Sequence, residues 1–117
     1  MALGFLATTA RSDEITLSLP AELAPSLADA LKHLRATAIG ARADRFERLA
    51  NHLATGELTA SREPLRELLS VAIDETAEAL SRSTSRLLRG EDGGAAELRA
   101  RLDELGALLD LLETVLP

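Results

Sequence analysis

The chain has 117 residues and a formal net charge of −6, with 46% hydrophobic and 27% charged residues. These values are typical of one globular domain with a modest core, and they exclude an intrinsically disordered chain. Cysteine is absent, which excludes disulfides, cysteine zinc sites, iron–sulfur clusters and thiol catalysis. Most apolar residues are Leu or Ala, and the only aromatic residues are Phe5 and Phe46. Because Leu and Ala favour helices, we expect a mainly all-α fold.

The sequence also suggests where the protein resides. No segment reaches the roughly 18 consecutive apolar residues of a membrane span, so we expect no membrane partner. Residues 1–10 lack a basic residue, and their apolar run is too short for a signal peptide. Twelve arginines stand against the single Lys32, a bias typical of GC-rich bacterial genomes. We therefore expect a cytoplasmic bacterial protein.

The first predicted element is a β-ribbon over residues 3–19. Residues 14–19 alternate strictly between polar and apolar side chains before Pro20, the pattern of a half-buried strand. Residues 5–9 alternate more weakly. Since an isolated strand leaves an edge unpaired, the ribbon is either a hairpin within the chain or a strand that pairs with another subunit.

Helical patterns follow the ribbon. In residues 22–55 apolar side chains recur every three or four positions, which predicts two helices or one kinked helix, with a break favoured at Gly40. The segment from Gly56 to Pro64 is predicted to be a loop. A long helix is expected over residues 62–89.

The final predicted helix covers residues 95–116. It follows a glycine-rich break at residues 90–94, so the last two helices should form an antiparallel helical hairpin. With no internal repeat, residues 1–117 are expected to form a single domain. The predicted architecture is a small helical bundle with a short N-terminal β-ribbon and a C-terminal hairpin.

The last helix is the most informative segment of the sequence. Six leucines from Leu98 to Leu116 are spaced 4-3-4-3-4, like the seam of a coiled coil, and Leu108, Leu111 and Val115 widen the apolar surface. One of these two rows of apolar side chains can pack against other helices of the chain. The other row, if it were left in water, would form a large apolar patch on the surface. We therefore predict a homodimer, with another helical protein as the alternative partner. The predicted interface comprises Leu98, Leu102, Leu105, Leu108, Leu109, Leu111, Leu112, Val115 and Leu116.

Catalytic and metal-binding patterns are weak. Asp29 and His33 share a helix face and His52 lies further along, but a metal site needs three or four converging ligands. An acidic group on the long helix (Glu67, Asp74, Glu75 and Glu78) is expected to be a solvated face. No phosphate loop, dinucleotide fingerprint or hydrolase motif is present. We predict a protein that is not an enzyme and has no cofactor or metal.

Arginines at positions 35, 42, 45 and 48 fall mostly on one helical face, as phosphate binding would require. Asp44 and Glu47 are interleaved with them and can form local ion pairs, which favours a solvated surface. The net charge disfavours nucleic acid as a partner of the whole chain but leaves a local basic face open.

Residues 15–23, Ile-Thr-Leu-Ser-Leu-Pro-Ala-Glu-Leu, resemble the opening of ribbon–helix–helix repressors and antitoxins. The resemblance implies a strand that pairs across a dimer and inserts outward side chains into the DNA major groove. It covers nine residues, and the acidic Glu14 beside them would repel phosphate. The nucleic-acid contacts that it implies, together with the arginine face, are Thr16, Ser18, Arg42, Arg45 and Arg48.

Three functions are thus ranked from the sequence. The leading hypothesis is a non-enzymatic helical interaction or regulatory protein that acts as a homodimer. The alternative is a small DNA-binding regulator or antitoxin of ribbon–helix–helix type. The third is a helical bundle that binds a small ligand or catalyses a reaction.

Overall fold

The computed structural model describes residues 14–91 and 93–116. It is mainly helical with one two-stranded antiparallel sheet, which confirms the predicted fold class. The elements in chain order are β1 (Glu14–Ser18), a 3-10 turn (Ala21–Leu23), α1 (Ala24–Thr37), α2 (Ala41–Leu53), β2 (Glu57–Ser61), α3 (Arg62–Leu88) and α4 (Gly94–Val115).

The β-ribbon joins two segments that are distant in sequence. Glu14 lies opposite Ser61 and Ser18 opposite Glu57, so β1 pairs with β2 of the same chain. The prediction of a loop over residues 56–64 was wrong, because Leu58 turns into the core opposite the equally buried Leu17. The predicted ribbon before Glu14 lies outside the described residues.

The break between the first two helices is confirmed at Gly40. Helix α1 ends at Thr37 and α2 begins at Ala41. Gly40 has a φ of +63°, a left-handed conformation that glycine adopts without the strain a Cβ atom would introduce. Pro25 lies in the first turn of α1, where its missing N–H interrupts no helical hydrogen bond.

Helices α3 and α4 form the predicted antiparallel hairpin, with bounds within one residue of those expected. Gly94 packs against the end of α3, where a Cβ atom would lie 3.0 Å from the Cα atom of Leu87. This approach is tighter than nine in ten real Cβ contacts, so any larger residue at this position would push the backbones of α3 and α4 apart by a few tenths of an ångström.

The core lies where the ribbon, α1 and α2 meet the inner ends of the hairpin helices. Helix α3 contributes its buried residues between Leu65 and Ala72, and α4 contributes Leu108 and Val115. Past Thr76 the only buried side chain of α3 is that of Ser83, so the outer half of the hairpin holds little core. Within residues 14–91 and 93–116, no helix combines the length and apolarity needed to cross a bilayer.

Candidate functional site

The outer surface of α4 presents a row of leucines, here called the leucine face. Leu102, Leu109 and Leu116 are 50%, 43% and 42% exposed, and they recur at steps of seven residues. They alternate along the helix with three further leucines, each of which is partly buried. The leucine face comprises Leu98, Leu102, Leu105, Leu109, Leu112 and Leu116.

The remaining predicted interface residues lie on the inner side of α4. Leu108 and Val115 are 0% and 1% exposed, and Leu111 is partly buried against the core. The prediction that Leu108 and Val115 contact a second copy was wrong, because both side chains are already covered by other residues of the same chain. The predicted interface therefore reduces to the leucine face and the flank at Leu111.

The inner side of α4 is polar where it passes the start of α1. The carboxylate of Glu104 accepts hydrogen bonds from the hydroxyls of Ser26 and Thr76 and from Arg101, whose Nη1 lies 3.0 Å from Oε2. The Glu104 side chain is only 13% exposed. These bonds satisfy a largely buried charge and join α1, α3 and α4 at one point.

A cleft of about 290 Å³ lies between α2 and the β-ribbon. One wall is formed by α2 and is lined by Arg45, Arg48 and His52. Arg48 and His52 follow Arg45 by three and seven residues, so all three side chains lie on the same face of the helix. The opposite wall has the side chains of Glu14, Thr59 and Ser61, and Leu49, Ala60 and Pro64 complete the lining. We call this the basic cleft.

The structure separates the predicted nucleic-acid contacts. Arg45 and Arg48 lie in the basic cleft, whereas Arg42 pairs with Glu67 at 2.7 Å and lies over the ring of Phe46. The Thr16 hydroxyl bonds that of Thr59 at 2.9 Å on the exposed side of the ribbon. Ser18 lies at the far end of the ribbon, opposite Glu57.

The two histidines lie in different surroundings. His33 Nδ1 lies 2.6 Å from Glu75 Oε1 in a surface pair, while His52 lines the basic cleft. Among residues 14–91 and 93–116, no three histidine, aspartate or glutamate side chains are grouped so as to hold a metal ion.

The contribution of β2 to the basic cleft was not predicted from the sequence. Thr59 and Ser61 were assigned to a loop, and His52 was considered only as a metal ligand without enough converging partners. A signal for strand β2 was present in the alternation of polar and apolar residues in Glu57-Leu-Thr-Ala-Ser61. This segment of five residues is no longer than a turn with its flanking residues, so the alternation alone does not distinguish a strand from a loop.

Comparison with known proteins found no matching family model, no matching curated protein and no matching solved structure.

Proposed function

We propose that this chain is a non-enzymatic interaction protein that forms a homodimer through the leucine face of α4. The observation that supports the proposal is the half-exposure of Leu102, Leu109 and Leu116 along a single helix. Soluble monomers rarely expose large contiguous apolar patches. Burying a fully exposed leucine contributes about 1.5–3 kcal/mol, and a half-exposed one roughly half as much. A partner that covers the leucine face therefore gains a substantial free energy.

The charges beside the leucine face favour a second copy in antiparallel orientation. Arg99 and Glu113 are both exposed, and each lies seven residues from Gly106. In an antiparallel pair of α4 helices centred on Gly106, Arg99 of each copy faces Glu113 of the other. In a parallel pair in register, Arg99 and Glu113 lie 14 residues apart along the axis, about 21 Å at 1.5 Å per residue, so the two charges cannot pair. The same surface on both copies then forms a closed two-fold interface.

The ribbon–helix–helix alternative receives less support. In that family the N-terminal strand pairs with the same strand of a second copy, whereas β1 here pairs with β2 of its own chain. The residues that resemble this family end at Leu23, so the resemblance does not account for the leucine face of α4.

The dimer is tested by light scattering on the eluate of a sizing column at micromolar concentration. We expect a mass of twice 12.4 kDa for the wild-type chain and the monomer mass for Leu102→Glu and Leu109→Glu. The matched control is Leu88→Glu, because Leu88 is 83% exposed at the far end of α3 and should tolerate the charge without loss of the dimer. A folded wild-type chain with the monomer mass would contradict the proposal.

The orientation is tested by exchanging charges. Arg99→Glu and Glu113→Arg should each weaken the dimer, since each places like charges together across the interface. The double variant restores opposite charges and should recover the wild-type association. If the double variant stays as weak as the single ones, the antiparallel arrangement is wrong even where the dimer itself is observed.

A further inference from the structure

The basic cleft brings together two arginines that form no ion pair with a carboxylate, whereas the other arginines without such a pair in the described ranges, at positions 35, 62, 82 and 99, do not line it. Arg42, Arg66, Arg86, Arg89 and Arg101 each form an ion pair with a glutamate. Within residues 14–91 and 93–116, Arg45 and Arg48 form no such pair, although Asp44 and Glu47 flank them in sequence. Two adjacent like charges on one helix face repel each other, and an anion bound between them would remove that repulsion.

The side chains around these arginines offer a complete set of donors for an anion. Guanidinium groups bind phosphate through paired N–H donors, and the His52 imidazole can donate a further hydrogen bond. Across the cleft, the hydroxyl of Ser61 can donate as well, and that of Thr59 can donate when it accepts the bond that it shares with Thr16. Leu49 and Pro64, both buried, also line the cleft and give it apolar surface beside the polar groups.

We infer that the basic cleft binds a small phosphate monoester that also has hydroxyl groups, with Arg45 and Arg48 contacting the phosphate. The carboxylate of Glu14 lines the opposite wall, where it can accept hydrogen bonds from ligand hydroxyls. The same carboxylate repels a polyanion, so it disfavours the backbone of duplex DNA relative to a small ester. The volume of about 290 Å³ suits a ligand the size of a pentose phosphate.

The probes are ribose 5-phosphate, inorganic phosphate, ribose and a short DNA duplex. Binding is followed by changes in the amide ¹H–¹⁵N spectrum and by titration calorimetry. We expect ribose 5-phosphate to shift the amides of residues 45–52 and 57–61, inorganic phosphate to do so more weakly, and ribose to have no effect. Arg45→Ala and Arg48→Ala should each weaken ribose 5-phosphate binding by about tenfold, the usual effect of losing a charged hydrogen bond.

The control variant is Arg35→Ala, because Arg35 is an exposed arginine on α1 that does not line the basic cleft. It should bind ribose 5-phosphate as the wild type does. An equal loss in Arg35→Ala would show attraction to net charge alone and would overturn the site. Glu14→Gln should weaken ribose 5-phosphate but not inorganic phosphate, and an unchanged ratio would remove Glu14 from the site.

Two further results would overturn the inference. One is the absence of any shift with either phosphate compound up to about 10 mM, a concentration at which even weak sites are occupied. The other is tighter binding of the duplex than of ribose 5-phosphate with a steep dependence on salt, which would assign the arginines to nucleic acid instead.

Discussion

Arg62 Nη1 donates a hydrogen bond to the backbone carbonyl of Val115 over a distance of 2.9 Å. The bond joins the first turn of α3 to the last turn of α4, whose carbonyls have no acceptor role within the helix. It therefore closes the inner end of the hairpin, just as the Gly94–Leu87 contact closes the outer end.

Replacing Arg62 by methionine should lower the free energy of unfolding by about 1 kcal/mol, since the carbonyl loses a charged donor while solvent can still reach it. Urea denaturation monitored by circular dichroism measures the change. Arg66→Met is the matched control, because Arg66 forms only an exposed pair with Glu63 and should cost less than about 0.5 kcal/mol. Equal losses in the two variants would contradict a role for the Val115 contact.

Leu108 and Leu102 lie on opposite sides of α4 and should respond differently to truncation. Leu108→Ala should cost about 2–5 kcal/mol, because it leaves a cavity in a fully buried site. Leu102→Ala should cost less than about 1 kcal/mol when measured on dissociated protein, since half of that side chain is exposed. The comparison uses chemical denaturation at low protein concentration, and a similar cost for both would mean that the two faces are wrongly assigned.

Gly94→Ala should destabilise the protein, because its Cβ would lie 3.0 Å from the backbone of Leu87 and neither helix can shift without losing contacts. The expected cost is about 1–3 kcal/mol in the free energy of unfolding. Gly106→Ala, measured on dissociated protein, provides the control within the same helix: beyond the local backbone of the helix no atom of the described chain lies within 4 Å of the added methyl group, and alanine favours a helix by about 1 kcal/mol. Thermal unfolding should thus move in opposite directions for the two variants.

Ser83 is 1% exposed, and its hydroxyl has no hydrogen-bond partner in the part of the chain that the structure describes. Removing this hydroxyl by Ser83→Ala should raise the free energy of unfolding by about 1 kcal/mol, since burial of an unsatisfied polar group is unfavourable. The exposed Ser85 on the same helix is the control, and Ser85→Ala should change stability by less than about 0.5 kcal/mol. Destabilisation by Ser83→Ala would show that the hydroxyl does have a partner.

The sequence predicted the helices well because their signals are local. The break at Gly40 and the bounds of α3 and α4 depend on glycines and on apolar periodicity, both of which act over a few residues. Strand β2 was missed because its pairing with β1 depends on residues far away in the chain, and Leu58 alone does not distinguish a strand from a turn.

The orientation of α4 could not be predicted from hydrophobicity. The face that packs inward also follows a seven-residue repeat, through Gly94, Arg101, Leu108 and Val115. Its first half is polar, since Arg101 pairs there with Glu104, which also accepts hydrogen bonds from Ser26 and Thr76. The leucine seam was therefore the more prominent pattern, although the structure leaves it on the outside.

The pairing of β1 with β2 sets an order on folding. The hairpin of α3 and α4 closes across only residues 89–93, whereas the two strands of the ribbon are separated by residues 19–56. The loop-closure entropy of the ribbon is larger, so the hairpin should form early and the ribbon late. During synthesis β1 leaves the ribosome before β2 has been made. Until β2 pairs with it, the backbone N–H and C=O groups of β1 are unpaired and can form hydrogen bonds with another chain.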